Sequence, residues 1–138
     1  MKKWLIASVI VSVTVIVCGV LIWTYIIADN ALKHETSRWA VLKDINGDRI
    51  AVEPTSDQIW TQLAELYQNQ STRWIGSFLE IYDNKWGFRF KPENITIAET
   101  TVEGAQATIK WISEDLNYWK GLNWVIYVSA KATEIHTP

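Results

Sequence analysis

The sequence predicts an α+β protein: a single N-terminal transmembrane helix, then a small mixed ββαβ-ββαβ extracytoplasmic domain with a mainly antiparallel sheet. Three observations predict it. Leu5 to Ile27 is an uncharged apolar run of about 23 residues. Behind it, short alternating runs are bounded by Gly, Pro and Asn, the pattern of strands and turns. Two further segments space their apolar residues by three and four, as one face of a helix requires. A chain of 138 residues leaves room for one ordinary domain. The expected division is an anchor over 1–30, a linker over 31–38 and the α+β domain over 39–138.

The apolar run would span roughly 34 Å as a helix, enough for a hydrocarbon core of about 30 Å. Trp4, Trp23 and Tyr25 lie near its ends, where amphipathic rings favour the headgroups. The run is longer than the usual core of a cleaved signal peptide, and "IIADNA" holds no small-x-small pair, since Ile26 stands opposite Ala28. Val17 before Cys18 is unsuited to lipidation, and Cys18 has no second Cys to pair with. An uncleaved anchor is therefore expected, with the lipid bilayer as partner of residues 5–27. Lys2 and Lys3 precede the run and no acid accompanies them, which places the N-terminus in the cytoplasm and the domain outside. Without those two lysines, 11 basic residues face 15 acids, which argues against a nucleic-acid partner.

The elements follow in order. "WAVLKD", "INGD" and "RIAVE" read as a hairpin, because Asn46-Gly47 accepts the positive φ values of a type I′ turn. Pro54 stops the second strand, and Thr55 with Gln58 has the spacing of a capping box. The helix behind it carries Ile59, Leu63 and Leu66 on a stripe widened by Trp60, Ala64 and Tyr67. "STRWIGSFLEIYD" reads as one long strand, and "WGFRFKP" as its return after the "DNKWG" turn. Alternation then puts Trp86, Phe88 and Phe90 on one face, expected to be core, and Arg89 with Lys91 on the other. "NITIAETTVE" gives a further strand. "GAQATIKWISEDLNYWKG" gives one helix with Ile109, Ile112, Leu116 and Trp119 inward and Gly121 as its C-cap. "NWVIYVSAKA" is the last strand.

The spacing Trp86-x-Phe88-x-Phe90-x-Pro92-x-x-Ile95, followed by Glu103, resembles a little-characterised family of small domains similar to the N-terminal domain of a secreted or surface calmodulin-binding protein. The likeness runs from about Trp39 to Trp124. Lys91, Ala105 and Gln106 stand where that family carries Asp, Cys and Asp. The resemblance implies a small α+β module.

Signals for catalysis are sparse. His34 and His136 lie at opposite ends of the domain sequence and no domain thiol exists, so neither a Cys/His metal site nor another metal centre is expected. No Gly-rich loop opens a helix in the phosphate-cradling pattern, and no cofactor is expected. No catalytic residue is assigned. The binding candidates are Glu80, Trp86, Arg89 and Glu103. Glu80 falls on the apolar Trp74/Phe78 face of its strand, either to pair with Arg89 across the hairpin or to line a pocket. Glu103 suits a helix start, where an acid meets the positive end of the dipole. Seven tryptophans, Trp39, Trp60, Trp74, Trp86, Trp111, Trp119 and Trp124, exceed what a core of this size needs. The expected function is a membrane-anchored extracytoplasmic binding or interaction module, with an envelope or membrane protein as the partner. The alternative is a single-pass accessory subunit of a larger membrane complex.

Overall fold

The computed structural model describes residues 11–20 and 30–138, and the chain divides into two units, Met1–Asn30 and Ala31–Pro138. In the first unit residues 11–20 form helix α1. That is about 15 Å of helix, half the thickness of a hydrocarbon core. Among the described residues, no helix is long and apolar enough to cross a membrane. This corrects the expected transmembrane helix, and with it the single-pass localisation. The rest of the apolar run, 5–10 and 21–27, lies outside the described residues.

The second unit is an α+β domain built on one mainly antiparallel sheet. Its strands β1 (Trp39–Asp44), β2 (Arg49–Val52), β3 (Arg73–Ser77), β6 (Thr96–Ala98) and β8 (Ile126–His136) take the order β2-β1-β8-β3-β6. Strands β4 (Leu79–Ile81) and β5 (Phe88–Phe90) form a separate two-stranded sheet. Strand β8 is the spine. Residues 126–130 pair with β3, and 130–136 pair with β1 on the opposite edge. The short β7 (Gln106–Ala107) extends that second edge by pairing parallel to Tyr127 and Val128. Helices α2 (Asp57–Asn69), α3 (Ile109–Glu114) and α4 (Leu116–Gly121) complete the unit.

Alternation along the strands sets the core. Ala40, Leu42, Ile50, Val52, Ile75, Val128, Ala130 and Ala132 face inward, against Leu63 and Leu66 of α2 and Ile109 and Ile112 of α3. Phe88 and Phe90 of β5 join the same cluster, their rings tilted at 51° with centroids 6.1 Å apart.

Local chemistry moves several boundaries. The first hairpin closes as a three-residue loop, with Asp44 and Asp48 hydrogen-bonded and only Gly47 at positive φ (84°). The Asp44 carboxylate explains this choice over the expected two-residue turn. Its Oδ1 accepts from the Asn46 and Asp48 N–H groups, and its Oδ2 accepts from the Ile109 N–H at the start of α3. Buried Asp44 thus ties the hairpin to a helix N-terminus, where a negative charge is also favoured. Asp44→Ala strands three backbone donors and is expected to lose on the order of 3 kcal/mol, read by urea unfolding. The cap of α2 is Ser56, not Thr55, with its Oγ accepting from the Ile59 N–H.

The long strand breaks at Phe78, where the Phe78 carbonyl turns to the Lys91 N–H and the Ser77 hydroxyl donates to the Lys91 carbonyl. Just before the break, a Cβ on Gly76 would collide with the Ile126 carbonyl oxygen, so glycine is what lets β8 approach β3. The final helix is also interrupted. Residues 106–107 are drawn into β7, Thr108 caps α3 by accepting from the Trp111 N–H, and Asp115 (φ −143°, ψ 58°) separates α3 from α4. Gly121 lies inside α4 and does not cap it.

Residues 31–38, read from composition as a linker, pack on the domain. Ala31 is in the core, and the Glu35 and Thr36 N–H groups donate to Glu53. His34 and His136 sandwich the Trp39 indole, with centroids at 3.8 and 4.0 Å. The two histidines distant in sequence therefore meet across one ring, which also keeps them from sharing a ligand.

Candidate functional site

Of the four candidate residues, Trp86 and Arg89 are committed to the fold. Trp86 is buried, and its Nε1–H donates to the Arg49 carbonyl at 2.8 Å, fastening the β4–β5 turn to β2. Arg89 stands directly across β4–β5 from Glu80 and donates through Nε to Oε1 of that carboxylate. Its Nη1 lies 3.4 Å from Glu53 Oε2 and 3.3 Å from Glu35 Oε2. The guanidinium also rests over the Tyr82 ring, 4.5 Å from its centroid.

Glu53 explains why this cluster is held. It is 5% exposed, and its Oε1 accepts from the Glu35 N–H, the Thr36 N–H and the Thr36 hydroxyl at 2.7, 2.6 and 2.8 Å. Arg89 supplies the balancing charge. Burial works to lower the Arg89 pKa, but the hydrogen bond and charge of Glu80, with Glu35 behind it, raise it above its ordinary value. Burial raises the Tyr82 pKa, as do the charges of Glu35 and Glu53, with Arg89 opposing them. The cluster is a clamp that joins residues 35–36, the end of β2 and the β4–β5 hairpin.

Glu80 and Glu103 border a different region. Glu103 does not open a helix; it precedes Gly104 (φ 89°) in an exposed turn, and α3 starts at Ile109. It lines a shallow, largely apolar depression of about 400 Å³ with Val102, Ala105, Trp124, Val125 and Tyr127. Glu80 lines a neighbouring groove of about 230 Å³ with Lys91, Trp119, Lys120, Asn123 and Trp124 among its walls. Trp124 is the wall common to both.

From Trp124 an aromatic surface continues. Tyr118 meets Trp119 edge-on at 5.1 Å, and the Trp119 Nε1–H donates to the Trp111 carbonyl at 3.2 Å. Val102 (72% exposed) and Trp124 (49%) stand open to solvent here, as do Tyr118 (54%) on α4 and Trp111 (58%), whose side chain borders a separate pocket with Asn46, Asp48, Lys110 and Glu114. Lys91, Lys120, Glu80 and Glu103 edge it with charges of both signs. Apolar rings with a charged border can hold a partner by desolvation and fix its orientation by charge.

Sequence periodicity located the inward stripe but did not mark this face as a site. Ile109 and Ile112 are buried and Leu116 and Trp119 pack half-buried against the core as the spacing expects, with Trp111 and Tyr118 off that stripe and exposed. The available signal was the density of Trp111, Trp119 and Trp124 in a short stretch. Among the described residues, no group of three or more His, Cys, Asp and Glu is placed to hold a metal ion. Comparison with known protein families, curated proteins and solved structures gives no match. The resemblance noted around Trp86 to Glu103 therefore rests on those residues alone.

Proposed function

We propose that Ala31–Pro138 is a binding module that docks an extended, apolar-bearing segment of a protein partner on the surface formed by α3, α4 and the 101–105 turn. The supporting observation is the pair of adjoining depressions that share exposed Trp124, one walled by half-buried Trp119 and the other by exposed Val102. A domain gains nothing in stability from rings left in water, and contiguous exposed apolar patches mark interaction sites. Tryptophan and tyrosine also carry a large share of interface binding energy. Trp124, between the depressions, acts as a divider that receives an apolar side chain of the partner on each side.

Selection of a random peptide library on the purified full-length protein tests this. Retained peptides are expected to be rich in apolar and aromatic residues. Trp124→Ala is expected to weaken them about 30-fold, the loss of a strong interface anchor. Peptides that bind Trp124→Ala as tightly as the parent, or retention of no peptide at all, would overturn the proposal.

A further inference from the structure

A second site lies on the outer face of the sheet. Residues directly opposite on antiparallel strands share a face, and the register aligns Arg49, Lys43 and Lys131 on β2, β1 and β8. Three cations therefore stand in one row across three adjacent strands. Like charges placed directly opposite destabilise a sheet, so the arrangement calls for a balancing anion. Arg49 has Glu134 within 3.9 Å. Neither Lys43 nor Lys131 has a carboxylate within 4 Å among the described residues. The nearest buried acid, Asp44, already accepts three backbone N–H groups, and Glu134 is shared by Arg49 and His136.

The two lysines face a cleft of about 470 Å³ whose other walls are Ile45, Gln70, Thr72, Ser129, Ala130, Thr133 and Asp44, the last a carboxylate already occupied by three backbone N–H groups. Two ammonium groups bordered by hydroxyls and a carboxamide offer charge and hydrogen-bond donors together. Lysine in such a setting holds a phosphate as a point charge.

We infer that this cleft binds the phosphate group of a small phosphorylated molecule, held between Lys43 and Lys131 with Thr72 and Ser129 donating to its oxygens. The volume admits such a group with a small organic remainder. The acid excess over the whole chain disfavours a long polyanion at the same place. The inference is independent of the peptide-docking proposal, because the two surfaces have no lining residue in common.

Thermal melts of the full-length protein in inorganic phosphate, against chloride at matched ionic strength, test it. At phosphate about ten times its Kd, the melting temperature is expected to rise by about 5 °C over the chloride control. Lys43→Gln/Lys131→Gln removes the repulsion, so in chloride it is expected to melt at or above the parent temperature. In phosphate the double variant is expected to show no rise. Absence of a phosphate-specific rise in the parent, or an equal rise in the double variant, would overturn the inference.

Discussion

Phe88→Ala is expected to lower the unfolding free energy by about 3–5 kcal/mol. Phe88 is fully buried at the point where the β4–β5 hairpin meets the main sheet, beside Phe90 and within the cluster that includes Leu42 and Ile75. Truncation removes the transfer energy of a ring and leaves a cavity that the strand backbone cannot fill by collapsing. Against a total of about 5–15 kcal/mol, that loss shows as a fall in melting temperature of more than about 10 °C. A near-neutral melt would mean that the Trp86–Phe90 stretch is a surface platform.

Arg89→Ala carries a comparable expected loss, about 3–5 kcal/mol, for a different reason. The substitution leaves Glu53 buried with its charge uncompensated and frees Glu80 and Glu35 to repel it. Glu80→Gln is a milder test of the same cluster. Arg89 keeps Glu53 and Glu35, and Glu80 is partly solvated, so the loss is expected to be about 1 kcal/mol. Glu53 is buried while Glu35 and Glu80 reach solvent, so salt is expected to screen only part of the Arg89→Ala loss. Urea unfolding at low and high ionic strength reads both effects. Equal, small losses for the two variants would reduce the cluster to a surface ion pair.

The parts of the domain legible in the sequence are those set by local pattern. Strands β1 and β2 follow from alternation and an Asn-Gly turn, α2 from its apolar stripe, and the inward aromatic face of β5 from period-two spacing. The sequence leaves Glu80 either to pair with Arg89 or to line a pocket, and the local hairpin register brings about the pairing while Glu80 also borders a groove. What the sequence hid depends on distant partners. Nothing near Asp44 says that its carboxylate will meet Ile109, and nothing near Glu53 says that residues 35–36 will fold back to donate to it. The break of the last helix is of the same kind. Residues 106–107 have a ladder position waiting beside β8, and taking it outweighs continuing a helix. The inward stripe of Ile109, Ile112, Leu116 and Trp119 was legible from spacing, but that Trp119 and Trp124 would wall one groove depends on how the chain returns after Gly121. The apolar N-terminal run shows the converse error: hydropathy alone implied a spanning helix, while the described helix covers residues 11–20.

The aromatic residues divide into rings that hold the fold and rings displayed for a partner. Guanidinium unfolding of the Trp111→Ala/Trp124→Ala double variant tests that division most directly. Both side chains are about half exposed, so the double variant is expected to lose no more than about 2 kcal/mol of stability with the slope unchanged. A drop of several kcal/mol, comparable to that of Phe88→Ala, would make these tryptophans part of the core and contradict the assignment of this face to recognition.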